Sequence, residues 1–270
     1  MTDIQQFRPQ QVATQATVVE QARAAMEVQA AVTVAQANPR NESHVVDRMI
    51  ATCSRFAVAA KAKYSVPNRG TGASVHLARE LARIWGNLDY GVRELNRDDV
   101  AGVSEIQAFA WDQETNVRST RTFVVPHEKS TRQAGRKKLV DLGDIYLNNQ
   151  NAGAKAVREC IFSVMPDWFI DQALEQCERT VAHGADLKSG AAVPLEDRVQ
   201  KMLGMFAALN VSEQQIAKRL GKPRSQWGAA ELATLLPVHS SMTQEGLPAS
   251  DFFDVASAPG SVLEQAALGG

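Results

Sequence analysis

Glu105-Ile106-Gln107 and Asp89 are the residues in this chain best suited to bond-breaking chemistry. Both fall in segments with strand character. Two carboxylates on neighbouring strands are how a metal-dependent nuclease holds Mg2+ against a phosphodiester. The pattern is short, however, and an ordinary half-exposed strand is the simpler account of Glu105 and Gln107. Gly70-Thr71-Gly72-Ala73-Ser74 has the glycines of a phosphate loop but lacks the lysine that an ATP-binding loop places after its last glycine. A Gly-rich turn opening a helix still suits a nucleic-acid phosphate. Cys53, Cys160 and Cys177 are far apart, and the five histidines are scattered, with no metal spacing and no disulfide framework. The local sequence suggests no Ser/His/Asp or Cys/His arrangement. The expectation is therefore no catalytic residue, no metal and no cofactor.

What the chain does carry is segregated charge. The formal net charge is -1, which hides the pattern. Between Asp47 and Glu80 there is no acidic residue, while Arg48, Arg55, Lys61, Lys63, Arg69 and Arg79 fall in that span. Residues 118–138 hold Arg118, Arg121, Lys129, Arg132, Arg136, Lys137 and Lys138 against a single Glu128. Beyond Arg224 there is no Lys or Arg, whereas Glu231, Glu245, Asp251, Asp254 and Glu264 remain. Clustered cations attract phosphate backbones and release their counterions. The Ser, Thr, Asn and Gly among them supply neutral donors and allow close backbone approach. Tyr64 and Trp111 lie near the basic blocks and are candidates for stacking on bases, although Trp111 suits a core equally well.

The elements that must position these residues follow from pattern. Residues 1–18 are polar and Gln-rich and read as a disordered arm. A helix is expected over 19–37, and a second, capped by Asn41 or Ser43, up to about residue 60. Residues 64–66 read as a strand and 67–72 as a loop. Apolar spacing predicts a helix over 73–85. Strands are expected over 88–95, 103–111 and 117–125, the last two joined by a hairpin turn at 112–116. Residues 143–183 read as helical with a break at Pro166. Within them Asn151, Lys155, Arg158 and Phe162 share one face, and Ala156, Cys160 and Val164 share another that is the better core candidate. The organisation expected is a core at 19–183, a linker at 184–194, a small helical module at 195–244 and an acidic flexible tail at 245–270. Ser212 and Gln215 have capping-box spacing and place a helix start inside the module. The fold class is α+β: a three-stranded antiparallel sheet with packed helices, followed by the helical module.

The order of these elements resembles phage single-strand annealing proteins of the RecT and Red beta type. The likeness is carried by Gly91-Val92-Arg93-Glu94-Leu95, Ala108-Phe109-Ala110-Trp111-Asp112 and the helix through Asn151-Ala152-Gly153-Ala154-Lys155-Ala156-Val157-Arg158. A related phage pattern is similar to Asn68-Arg69-Gly70-Thr71-Gly72, Trp85-Gly86-Asn87, Ala110-Trp111-Asp112 and Gln150-Asn151-Ala152-Gly153-Ala154. The resemblance spans roughly residues 25–182, and the basic connection at 127–138 departs from the commoner pattern. It implies ATP-independent annealing of single-stranded DNA in phage recombination by a homo-oligomer, a ring or helical filament, that also holds the annealed duplex. It further implies that the C-terminal module docks a single-strand-binding protein or a phage exonuclease. The DNA-binding residues expected are Lys61, Lys63, Tyr64, Arg69, Arg118, Arg121, Lys129, Arg132, Arg136, Lys137, Lys138, Lys155 and Arg158. A Mg-dependent nuclease and a non-enzymatic DNA-binding adaptor are the alternatives. No apolar run is long enough for a membrane span and no signal-peptide pattern opens the chain, so the expected place is the cytoplasm of a bacterial host. The tail, centred on Asp251-Phe252-Phe253-Asp254, is expected to compete with DNA for the basic surface.

Overall fold

The computed structural model describes residues 15–67, 70–131, 135–187, 191–244 and 246–254. Helix α1 (Gln15–Ala37) is the Gly- and Pro-free stretch, and it ends where Pro39 approaches. Its first residues belong to the expected arm, and residues 1–14 lie outside the described residues. Helix α2 (Glu42–Cys53) starts at Asn41, whose side chain accepts the His44 N–H at 3.0 Å. The single helix expected up to about residue 60 is divided. The Ser54 hydroxyl donates back to the Ile50 carbonyl at 2.6 Å, and the Asp186 carboxylate takes the N–H of Phe56, which opens the short α3 (Phe56–Ala59).

Strand β1 (Lys63–Val66) pairs antiparallel with β2 (Gly70–Ala73), so part of the expected loop at 67–72 is a strand. The reason is close approach: a Cβ on Gly72 would sit 2.8 Å from the Tyr64 ring, and only glycine allows that pairing. Ser74 then caps α4 (Val75–Trp85) by accepting the Leu77 N–H, and Leu77, Ala78, Leu81, Ile84 and Trp85 are buried as their spacing predicts.

The expected sheet is present as β3 (Leu88–Asp98), β4 (Val103–Asp112) and β5 (Val117–Pro126), antiparallel in that order. Along β4, Ser104, Ile106, Ala108 and Ala110 are buried on one face, and Glu105, Gln107 and Phe109 occupy the other. The basic connection is a hairpin, β6 (Glu128–Thr131) with β7 (Gly135–Lys138). Helix α5 (Leu142–Ser163) crosses the buried face of the sheet. Gly153 permits that contact, since a Cβ there would stand 2.5 Å from Val92. After the break at Pro166 comes α6 (Asp167–His183). Helices α7 (Leu195–Ala207), α8 (Glu213–Leu220) and α9 (Ala229–Gln244) follow, with single 3-10 turns at Arg224–Gln226 and Ala249–Asp251. The capping box of Ser212 and Gln215 is formed. The chain is thus α+β, a three-stranded antiparallel sheet packed with helices.

The helices after residue 195 share one buried cluster with the earlier elements. The Ser241 hydroxyl of α9 donates to the Ser65 carbonyl at 2.9 Å and accepts the Ser65 N–H at 2.8 Å, both buried. The expected linker is anchored at its start, where the Leu187 N–H reaches the Ser54 carbonyl at 3.0 Å. The tail expected to be flexible from residue 245 differs as well: Phe252 and Phe253 are buried. Phe253 meets Phe206 edge-on at 5.4 Å, and Arg219 donates to the Phe252 carbonyl at 2.7 Å. Two adjacent phenyl groups bury too much apolar surface to stay in water. Residues 255–270 lie outside the described residues. No helix among the described residues is long and apolar enough to cross a membrane.

One buried ion pair joins the N-terminal helices to the sheet. The Arg40 guanidinium donates to Asp112 at 2.9 Å and to the carbonyls of Trp85 and Gly86 at 3.3 Å, and it stacks 4.3 Å over the Trp85 ring. Asp112 also accepts from the Trp85 indole at 3.2 Å and from the backbone of Glu114 at 3.0 Å. The two side chains are only 8% and 2% exposed. Burial pushes the Asp112 carboxyl up, but the bonds from Arg40 and Trp85 outweigh it and hold the group below its ordinary value. A lowered carboxylate contributes stability above its unfolded value, and that stability is lost as pH falls through the folded one. Arg40→Ala leaves Asp112 buried without its counter-charge and should cost about 3–5 kcal/mol in urea unfolding at neutral pH. The variant's loss should shrink as pH falls through the acidic range, because its unpaired, buried Asp112 takes up a proton first while the paired carboxylate holds its charge below the ordinary value. A deficit that does not change with pH would refute this account of the junction.

Candidate nucleic-acid interface

Helix α5 has two working faces. Val157, Cys160 and Ile161 pack inward, as does Val164 just past the helix end, while Asn151 and Lys155 point outward with Arg158 between. The outward residues line two recesses that share Asn151. The first, of about 590 Å³, lies under the basic hairpin and carries Lys129, Lys137, Lys138 and Asn148. The second, of about 60 Å³, lies between the start of α4, α5 and the end of α9, with Ser74, His76, Lys155, Arg158, Ser240 and Gln244 on its walls. Both border α5 and meet at Asn151; taken together as the trough, they are cationic at the hairpin end and again at Lys155 and Arg158. Asp141 and Asp144 flank it, and the Asp141 carboxylate is occupied in capping α5 through the N–H groups of Gly143 and Asp144.

The hairpin is set by a buried knot at its root. The His127 N–H reaches the Gly102 carbonyl at 2.7 Å, and the His127 carbonyl accepts from Leu139 at 2.8 Å. Its ring Nε2 lies 2.9 Å from the Ser104 hydroxyl, which donates to Glu94 at 3.2 Å, and its Nδ1 lies 4.0 Å from Asp99. A Ser/His/Asp grouping therefore exists that local sequence did not suggest, since its members come from β4, the turn between β3 and β4, and the residue between β5 and β6. Ser104 and His127 are 0% and 2% exposed. No substrate reaches the hydroxyl, and the grouping serves to fasten the hairpin. The Asn148 side chain adds a bond to the Pro126 carbonyl at 3.0 Å.

Arg158 stacks 4.4 Å over the Tyr64 ring and bonds to Glu159 at 3.0 Å. Tyr64 is thus held beside the trough with one ring face covered by the guanidinium and Gly72 against its edge. His76 titrates below the ordinary histidine range, first because it is partly buried and then because Arg79 and Lys61 add positive charge nearby.

The trough brings together Lys129, Lys137, Lys138, Lys155, Arg158 and Tyr64, with Lys61 close to His76. Other expected residues lie elsewhere. Lys63 is ion-paired with Glu178 of α6. Arg118 and Arg121 project from opposite faces of β5 because their positions differ by an odd number. Arg118 covers Trp111 at 3.9 Å on the face away from α5, and Arg121 stands near Cys160 on the helix side. Trp111 is buried on that outer face beneath Arg118 and donates its indole N–H to Asn116 at 3.1 Å, apart from the aromatic cluster of Trp85, Trp168 and Phe169. Arg136 is an exposed hairpin residue 3.9 Å from Glu128, outside the trough lining. Arg69 and Arg132 lie outside the described residues. His76, Ser240 and Gln244 were not among the expected contacts; α9 reaches the trough only through tertiary packing, which leaves no local signal.

Asp89 and Glu105 are not brought together. Asp89 pairs with Trp111, and Glu105 pairs with Asn96, so six positions of β4 separate them, roughly 20 Å along the strand. Among the described residues no group of three or more His, Cys, Asp or Glu could hold a metal ion. Comparison with protein-family models, curated proteins and solved structures finds no match to this chain.

Lys137→Glu with Lys138→Glu should weaken single-strand binding and reduce the slope of log affinity against log salt by about 0.7 for each phosphate that the protein ceases to neutralise. Arg118→Glu, on the other face of the sheet, should leave that slope unchanged; equal effects from the two variants would remove the trough as the interface. The His76 depression adds a pH signature. The imidazole is neutral near pH 7, and a phosphate beside it restores its proton affinity, so binding takes up a proton. Affinity should rise on going from about pH 7.5 to about pH 6, and His76→Gln should flatten that rise. Fluorescence anisotropy with a labelled oligonucleotide measures both.

Proposed function

We propose that this chain is an ATP-independent single-strand annealing protein that lays the phosphate backbone of DNA along the α5 trough. The observation that carries the reading is the alignment of Lys129, Lys137, Lys138, Lys155 and Arg158 with Asn148, Asn151 and Gln244 along the recesses beside α5. Such a surface supplies charge and neutral donors to phosphates and sugars, which gives grip without base selection. Annealing requires that combination, because bases held by their sugar-phosphate side stay open to a complementary strand. No step of the proposed activity breaks a covalent bond, so it needs neither nucleotide nor metal.

Homo-oligomerisation is part of the proposal, and α1 supports it. Val18, Val19, Met26 and Val34 on that helix are roughly half or more exposed, an apolar surface suited to a second copy. Helices α7–α9 are proposed to dock a single-strand-binding protein or an exonuclease while also contributing Gln244 to the DNA surface. A cytoplasmic setting in a bacterial host belongs to the same proposal.

Two complementary oligonucleotides mixed with the protein should anneal faster than they do alone, without ATP, and the acceleration should fall in the Lys137→Glu, Lys138→Glu variant. An unchanged rate would overturn the reading. Release of labelled fragments when DNA is incubated with protein and Mg2+ would replace it with nuclease activity.

A further inference from the structure

We infer that copies of this chain join edge to edge, with β5 of one copy pairing parallel to β3 of the next, so that the sheet runs on through the assembly. The inference rests on the homo-oligomer of the proposed function and names its interface. Among the described residues β3 and β5 are the outer strands of the sheet, and no further strand pairs with either. They are 11 and 10 residues long, and an open edge of that length is a template for another strand.

The ladder fixes which backbone groups each edge offers. Opposed residues of an antiparallel pair alternate between bonded and non-bonded positions. The Gln113 N–H reaches the Asn87 carbonyl at 2.8 Å and the His127 N–H reaches the Gly102 carbonyl at 2.7 Å, which sets the phase at one end of each pairing. Followed along the registers, that phase turns the N–H and C=O groups of Leu88, Tyr90, Val92 and Glu94 outward from β3. It turns those of Arg118, Thr120, Thr122 and Val124 outward from β5. The Pro126 carbonyl, next in the β5 series, obeys the same phase: it points out and takes the Asn148 side-chain N–H at 3.0 Å.

Side-chain direction and charge then select the pairing. The outward-bonding residues of β5 carry their side chains on the face away from α5, as Arg118 over Trp111 shows. Those of β3 carry theirs on the α5 face, as Val92 against Gly153 shows. Antiparallel pairing of the two edges would therefore turn α5 of successive copies to opposite sides of the sheet. Parallel pairing sets each outward-bonding residue opposite an inward-bonding one. Arg118 then stands opposite Asp89 and Thr120 opposite Gly91, with α5 and its trough kept on one side. Among the described residues neither Arg118 nor Asp89 has an oppositely charged partner within its own chain. The cations of β3 are already engaged, Arg93 over Phe109 at 4.3 Å and Arg97 with Asp99 at 2.7 Å. Pairing of β5 with a second β5 would bring arginines together, which disfavours a closed two-fold dimer. Because two different edges meet at every joint, the contact is head-to-tail and builds a ring where its rotation closes and a helical filament where it does not.

The test is the size of the full chain by sedimentation velocity, without DNA, over a range of concentrations. Asp89→Arg and Arg118→Asp each set like charges across every joint and should weaken assembly at least about tenfold, with the fold checked by circular dichroism. Mixed in equal amounts, the two variants should assemble again, because each supplies the charge the other lacks. Reversal at Arg118 leaves the phosphate contacts of each copy, and so the salt slope, in place. Hydrogen exchange of the natural chain needs no substitution: the amides of Tyr90, Thr120 and Thr122 should gain protection as concentration rises, while those of Gly91 and Ser119, bonded inside the sheet, should not change. A natural chain that stays monomeric, single variants that keep the natural size, or a mixture that fails to reassemble would each overturn the inference. Annealing is measured apart from this. Assembly as expected without faster annealing keeps the interface and removes the annealing reading, whereas annealing by an oligomer indifferent to both reversals removes the interface alone.

Discussion

The architecture hangs on the contact between Arg40 and Asp112. A buried ion pair stabilises only when its remaining donors and acceptors are used, and here nearly all are. The guanidinium serves two backbone carbonyls, the carboxylates of Asp112 and Glu114, and an indole face. The carboxylate serves the guanidinium, the indole N–H and the turn of the β4–β5 hairpin. Asn87 completes the junction by donating to the Asn38 carbonyl and to Glu114, each at 3.0 Å. Three separate chain regions thereby acquire one fixed relation: the turn between α1 and α2, the end of α4, and the sheet. Such a network specifies geometry more than it adds stability, because its charges give up water on entering the protein.

From that fixed corner the trough follows by packing. Helix α4 leaves the junction with its apolar face inward and brings its start, at Ser74 and His76, beside α5. Helix α5 lies close on the sheet because Gly153 has no Cβ to strike Val92. The helix thus spends one face on the core and keeps Asn151, Lys155 and Arg158 for the surface. The basic hairpin is held over its first turns by the Ser104–His127 knot and by Asn148. No single element holds the trough; it exists only where these packings meet.

Much of this was legible in the sequence, and the failures have physical causes. Alternation located all three sheet strands, and spacing located α4 and the core face of α5, because those patterns are set by burial on one side. The pattern residues Trp85, Asn87 and Asp112 were visible as motifs, yet nothing local says that they converge on Arg40. The stretch Gly70–Ala73 looked like a loop because glycine content signals both turns and close strand pairing. Charge clusters were read by proximity in sequence, which ignores the strand's period of two, so Arg118 and Arg121 were grouped although they face opposite ways. Lys63 was counted as available because its partner, Glu178, lies 115 positions away. The contribution of α9 to the trough had no signature at all.

The serine contact between α9 and β1 has a consequence of another kind. A two-stranded ribbon leaves outer edges whose N–H and C=O groups invite a further strand from any passing chain. On β1 that invitation is answered at Ser65, where one hydroxyl, from Ser241, engages both the N–H and the carbonyl. A single side-chain oxygen thus stands where a third strand would pair. Helix α9 is in this sense a cover for a sheet edge as well as a wall of the trough, and it guards that edge without extending the sheet.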